Sequence, residues 1–162
     1  MSLRYCKIAL VATNAFFLLL VVFNNITDYG SNLLFVENVL NMSTTFEDNN
    51  AMWRAIENPF VHHLFYATII LWEVAALVVI AIGAVKLWEA RSAAAPTFEK
   101  AKGWAAAGLT ISMLQWYIAF VSVGGEWFLM WQSETWNGQD AAMRMFLMMG
   151  LSLIFLTQRE ST

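Results

Sequence analysis

Four long apolar runs occupy most of this chain: Tyr5–Phe23, Val61–Leu87, Gly103–Val123 and Ala141–Thr157. A hydrocarbon core about 30 Å thick takes about 20 residues of helix to cross. The first three runs meet that length, and the fourth is shorter, with Arg144 near its start. No water is available in the bilayer to satisfy backbone groups, so such segments are expected as helices. The pattern predicts an all-α, polytopic membrane protein, a single bundle of four transmembrane helices spanning 1–162.

Composition agrees with this class. The chain is 59% hydrophobic, above the share of an ordinary soluble domain, and 162 residues leave no room for a separate soluble domain. No basic cluster suits nucleic acid, so none is expected as a partner. Cys6 is the only cysteine, which excludes internal disulfides and Cys-based metal knuckles. It reads as a small residue at a membrane boundary. Arg4 and Lys7 ahead of Ile8–Phe23 imitate a signal peptide, but Val22-Phe23-Asn24-Asn25-Ile26 lacks the small-residue cleavage pattern. An uncleaved first span is expected.

Charge sets the expected orientation. With four spans, Arg4, Lys7, Lys86, Arg91, Lys100, Lys102 and Arg159 share one side, and only Arg54 and Arg144 lie on the other. The positive-inside rule then makes both termini and the middle connection cytoplasmic. The expected location is a bacterial inner membrane, with lipid as the surrounding partner.

The outer connections, 24–60 and 124–140, carry more pattern than linkers need. Leu33, Leu34, Val36, Val39 and Leu40 form a stripe consistent with an amphipathic helix. Ser43–Glu47 reads as a turn, a second short helix is expected near Asn50–Glu57, and Pro59 suits the first turn of the second span. The stripe has two readings, a surface that caps the bundle or a docking face. Asn25-Ile26-Thr27 and Asn41-Met42-Ser43 match the glycosylation pattern, which matters only in a secretory pathway, and modification is not expected. The middle connection, Trp88 to Lys102, reads as a plain linker around Ser92–Pro96.

In the second outer connection Gly124-Gly125 is expected to end the third span. Glu126, Trp127, Trp131, Trp136, Asn137 and Gly138 follow. Trp favours the headgroup level, so an aromatic belt is one reading. Steps of four and five residues drift around a helix axis, however. The segment is therefore expected to fold back and pack on the first connection near Phe35, Met52 and Trp53. The result would be one periplasmic cap, usable as a partner surface.

Ionisable groups deep in a span raise a functional hypothesis by default. Glu73 lies near mid-bilayer, Gln115 at similar depth, and Asn14 nearer the inner leaflet. Two readings stand: these groups hydrogen-bond across helices with Glu73 protonated, or they form a proton- or ligand-handling site. Asp140 and Arg144 read as a surface pair. His62 and His63 are adjacent, so they point about 100° apart and do not chelate one ion readily. They are weak candidates as haem ligands. Met130, Met143, Met145, Met148 and Met149 read as core filler before copper ligands. No catalytic set, metal site or internal repeat is apparent. Ala75, Ala76, Ala81, Gly83 and Ala84 in the second span and Gly103, Ala107, Gly108 and Ser112 in the third suit close helix approach.

Several segments are distinctive together: Asn24–Asn32, Met52–Ile56, His62-His63, and Gly124–Ser133 with Thr135–Gln139. On these the chain resembles an uncharacterised family of predicted small integral membrane proteins of bacteria. The resemblance covers nearly the whole chain and implies an inner-membrane four-helix protein. It implies no activity, cofactor or catalytic residue. The leading expectation is a non-enzymatic subunit that stabilises, assembles or modulates a larger membrane complex, respiratory or transport, through other integral subunits. One alternative is a small carrier or proton-linked binding protein using Glu73. A second is a redox subunit binding haem or quinone, although no cofactor is expected on the leading reading.

Overall fold

The computed structural model of the chain describes residues 2–160. Helix α1 (Ser2–Thr27) turns into α2 (Tyr29–Leu40), and α3 (Pro59–Glu89) and α4 (Ala95–Gln115) follow. Without a break, α4 continues as a wider π-helical segment, Trp116–Trp127. Helix α5 (Gln139–Thr157) completes the bundle, and single 3-10 turns lie at Met52–Arg54 and Met130–Gln132. Helices α1, α3, α4 with its extension, and α5 are each long and apolar enough to cross a membrane. Leu71, Leu151 and Ile154 point outward, which suits lipid rather than water.

The four long helices form a ring in the order α1, α3, α4, α5, closed by α5 on α1. Buried positions recur in steps of three and four. Ala76, Ile80, Gly83 and Leu87 do so on α3, and Phe98, Lys102, Ala105, Leu109 and Ser112 on α4. That is the seam of antiparallel helices packed nearly in line. Two glycines set its closeness. A methyl group on Gly83 would collide with the Ala105 backbone, and one on Gly108 would stand 2.6 Å from the Ile80 nitrogen. Backbones approach because lipid supplies no hydrophobic force between spans, leaving packing to do it.

At the terminal end, charge closes the bundle. Arg4 Nε and Lys7 Nζ donate to the two Glu160 oxygens at 2.9 and 2.8 Å. Lys7 and Lys102 both donate to the Gln158 carbonyl at 2.7 Å. Lys102 also reaches Glu99 at 2.8 Å, and the Glu160 N–H donates to that same Glu99 oxygen. Burial by itself raises the Glu160 carboxyl, but the hydrogen bonds from Lys7 and Arg4 outweigh it and hold the group below its ordinary range.

At the opposite end the two longer connections pack into one cap. Thr44 and Ser133 hydroxyls meet at 2.6 Å, and the Phe46 N–H donates to Gln132 Oε1 at 3.0 Å. Ring centroids of Phe46 and Trp131, and of Trp53 and Trp127, lie 5.8 Å apart in edge-on pairs. Trp136 meets Phe35 at 6.1 Å. The Arg54 guanidinium stands 5.2 Å from the Trp53 ring and 4.8 Å from the Trp127 ring, and donates to the Trp127 carbonyl at 3.3 Å. Met42 and Leu129 take left-handed backbone, with φ of 55° and 54°. Each turns its connection so that Met42 and, beside Leu129, Phe128 and Met130 enter the cap core.

Several local expectations change. Helix α1 runs a full turn beyond Phe23, through Thr27. The middle connection shrinks, because Pro96 sits in the first turn of α4, where proline is tolerated. Gly124-Gly125 does not end the third span. Both lie inside the π segment, buried, where a methyl on Gly125 would collide with the Gln139 side chain. Glu126 and Trp127 are therefore helical. The helix expected near Asn50–Glu57 is one 3-10 turn. Among the described residues, the ion pairs gather at the terminal end, so Asp140 and Arg144 do not form one.

Candidate functional site

Glu73 lies near the middle of α3, 1% exposed and turned into the ring. Asn25 Nδ2, from the last turn of α1, donates to Glu73 Oε2 at 2.7 Å. The Gln115 side chain, where α4 gives way to the π segment, is the carboxyl's other polar neighbour. Gln115 Nε2 donates to the Ile69 carbonyl at 3.2 Å, and its Oε1 has no donor among the described residues. The neutral acid form of Glu73 is a group that could supply that donor. Trp116 Nε1 is likewise buried without an acceptor.

From Glu73 polar groups continue toward the cap. Tyr66, seven residues earlier on the same face of α3, donates its hydroxyl to the Asn25 carbonyl at 2.9 Å. The Tyr29 ring lies over Tyr66 at 4.7 Å, and its hydroxyl meets His63 Nδ1 at 2.8 Å on the exposed surface. His62 turns elsewhere. It is buried, and its Nε2 meets the Ile56 carbonyl at 2.6 Å. The two histidines thus anchor separate parts of the cap.

Glu73, Asn25 and Tyr66 line a cavity of about 670 Å³ between α1, α2, α3, the π segment and α5. Its origin is geometric. Helices α1 and α5 meet on the terminal side, where Asn14 Nδ2 donates to Ser152 Oγ at 2.9 Å. On the cap side the cavity lies between them. Its walls are mainly rings and small groups: Phe17, Phe35, Trp116, Phe120, Ala141 and Ala142. No Lys, Arg or His lines it among the described residues. A second, apolar cavity of about 320 Å³ lies on the other side of Phe35, Val36, Ile69 and Phe120, which border both. The π segment lines the two together. Such segments concentrate at functional sites.

The sequence-derived residues therefore separate into three groups. Glu73 and Gln115 come together. Asn14 belongs to a different contact, the α1–α5 bond with Ser152. Trp53, Trp127, Trp131 and Trp136 join the cap, with Glu126 exposed beside them and Asn137 Oδ1 accepting from the Gln139 N–H at 3.1 Å. Asn25, Tyr66 and Asn32, the last also lining the cavity, went unnoticed as site residues. A signal for Asn25 existed. The buried stripe Val11, Asn14, Leu18, Val22 reaches it in one more step of three.

Comparison with known proteins adds one finding. Residues 3–159 match the family described as predicted small integral membrane protein (DUF2165). No curated protein and no solved structure matches the chain.

Proposed function

The chain belongs to this family of small integral membrane proteins, and from that premise we propose that it is a non-enzymatic binding protein or carrier that holds a small amphiphilic ligand at Glu73. The observation that supports the reading is the 670 Å³ cavity with a mid-span carboxyl in its wall. Ligand sites are commonly of this size, mostly apolar, with a few convergent polar groups. An intramembrane carboxyl is costly to keep and points to function. Native mass spectrometry from mild detergent tests it. The wild type should retain a small-molecule adduct that Ala142→Phe, which fills the cavity, loses. An adduct-free wild type, or an adduct indifferent to Ala142→Phe, overturns the reading.

A second reading, a subunit that stabilises or modulates a larger membrane complex, is favoured by the cap. Trp53 is 72% exposed and Phe60 74%, and exposed aromatic surface marks partner sites. Native gels after mild extraction test it. Migration at the bare monomer mass, with nothing in pull-downs, counts against it. In either case the proposed setting is a bacterial inner membrane with both termini cytoplasmic and the cap periplasmic. The support is the clustering of seven of nine Lys and Arg at the terminal end.

A further inference from the structure

Resting on the Glu73 binding reading, we propose that the ligand is an organic monocation, an amine or quaternary ammonium carrying an apolar body. Two features of the cavity argue for this class. The first is an acid without a base. Tyr66 on its own helix is the titratable group that feels the Glu73 charge; Tyr29 and Asp28 from the α1–α2 corner stand around Tyr66, and His63 lies outside them against the Tyr29 hydroxyl on the exposed surface. No positive side chain enters the cavity from α1, α2, α3, the π segment or α5 among the described residues. A carboxylate buried there lacks the counter-ion that buried charges require, and a cationic ligand supplies it.

The second feature is the wall. Phe17, Phe35, Tyr66, Trp116 and Phe120 line the same cavity as the carboxyl. Ring faces attract cations, most strongly when water is excluded, and aromatic cages are the recurrent means of holding quaternary ammonium.

Binding then exchanges one positive charge for another. As the cation reaches the carboxyl, the Glu73 proton leaves to water, and the net charge of the site is unchanged. Cation and proton occupy the site in alternation.

The test compares two probes of one shape, benzyltrimethylammonium and its neutral carbon analogue neopentylbenzene, on the purified full chain in dodecyl maltoside. The readouts are tryptophan fluorescence and calorimetry. The cation should bind at least tenfold tighter than the analogue, and its affinity should rise with pH. Whatever proton the empty site holds on Glu73 should be released as the cation binds, up to one per cation, read from the dependence of binding heat on buffer. Glu73→Gln, checked as monodisperse by gel filtration, should lose at least tenfold in cation affinity and leave the neutral probe unaffected. Glu73→Asp should recover part of the loss.

If both probes bind alike, Glu73→Gln changes neither and Ala142→Phe abolishes both, the cation class is overturned while the cavity reading survives. If neither probe binds, or Ala142→Phe has no effect, both readings fall. Added sphingosine, a lipid amine with a single positive charge, separates the sources of the cation. Competition identifies a lipid ammonium as the occupant and its absence a free cation, and either result supports the class.

Discussion

Asn25 and Glu73 stand 48 positions apart in the chain and 2.7 Å apart in space. That bond ties the last turn of α1 to the middle of α3. In lipid its two partners have few alternatives. Interhelical hydrogen bonds of this kind still average only about 0.6 kcal/mol, with a maximum near 1.7. A double-mutant cycle of Asn25→Ala and Glu73→Ala, followed by reversible unfolding in SDS, should give a coupling in that range. Strictly additive losses would show that the two side chains do not depend on each other.

The α3–α4 seam should be far less forgiving. Gly83→Val drives a branched side chain into the Ala105 backbone, and overpacking costs about 1–3 kcal/mol. Gly103, on the same α4 helix, has nothing within 4 Å of an added methyl. Gly103→Ala should therefore gain up to about 1 kcal/mol from helix propensity. Thermal melts in detergent should place the variants on opposite sides of wild type. A Gly83→Val protein that melts no earlier would refute the close approach.

The ionic cluster predicts an acid limb of stability. Glu160 is held below its ordinary range despite burial, by Lys7 and Arg4 hydrogen bonds, with the Lys7 and Lys102 charges adding to them. A depressed carboxyl lends stability that is present above its unfolded pKa, about 4.3. That stability fades as pH falls through the folded value. Facing groups are Arg4 and Lys7 from α1 and Glu99 and Lys102 from α4. Glu160→Gln should lower stability at pH 7 by up to about 3 kcal/mol. It should converge with wild type toward pH 3. Melting curves that stay parallel across this range would exclude the role.

Orientation has a direct measurement. In a Cys6→Ser background, Asn49→Cys should react with an impermeant maleimide added to intact cells, and Ser92→Cys should not. The reverse labelling would turn the proposed topology over.

What the sequence made legible follows from which signals are local. Hydropathy marks the four spans, and counting residues from their ends puts Glu73 and Gln115 at one depth. Asn25 was hidden by the same device. A polar Asn24-Asn25 pair ends an apolar window, while the helix ignores it and continues to Thr27 because the amide finds a carboxyl. The π segment has no hydropathy signature at all. Gly124-Gly125 looks like a helix end by propensity. Tertiary packing against Met130 and Gln139 instead uses the missing side chains to bring the segment close to its neighbours. The cap was legible in part. Trp spacing excluded a single stripe, whereas Arg54 between two indoles depends on contacts across 73 residues.

Phe120 separates the two cavities together with Phe35, Val36 and Ile69. All four are side chains carried on helices that can stay where they are. Loss of the Phe120 ring would open the compartment at Glu73 toward the mainly apolar one beyond it, lined by Leu64, Ile118 and Val123. The partition between a short guest and a long one then rests on side chains and not on the bundle, and Phe120→Ala would trade a short, selective berth for a long, permissive one.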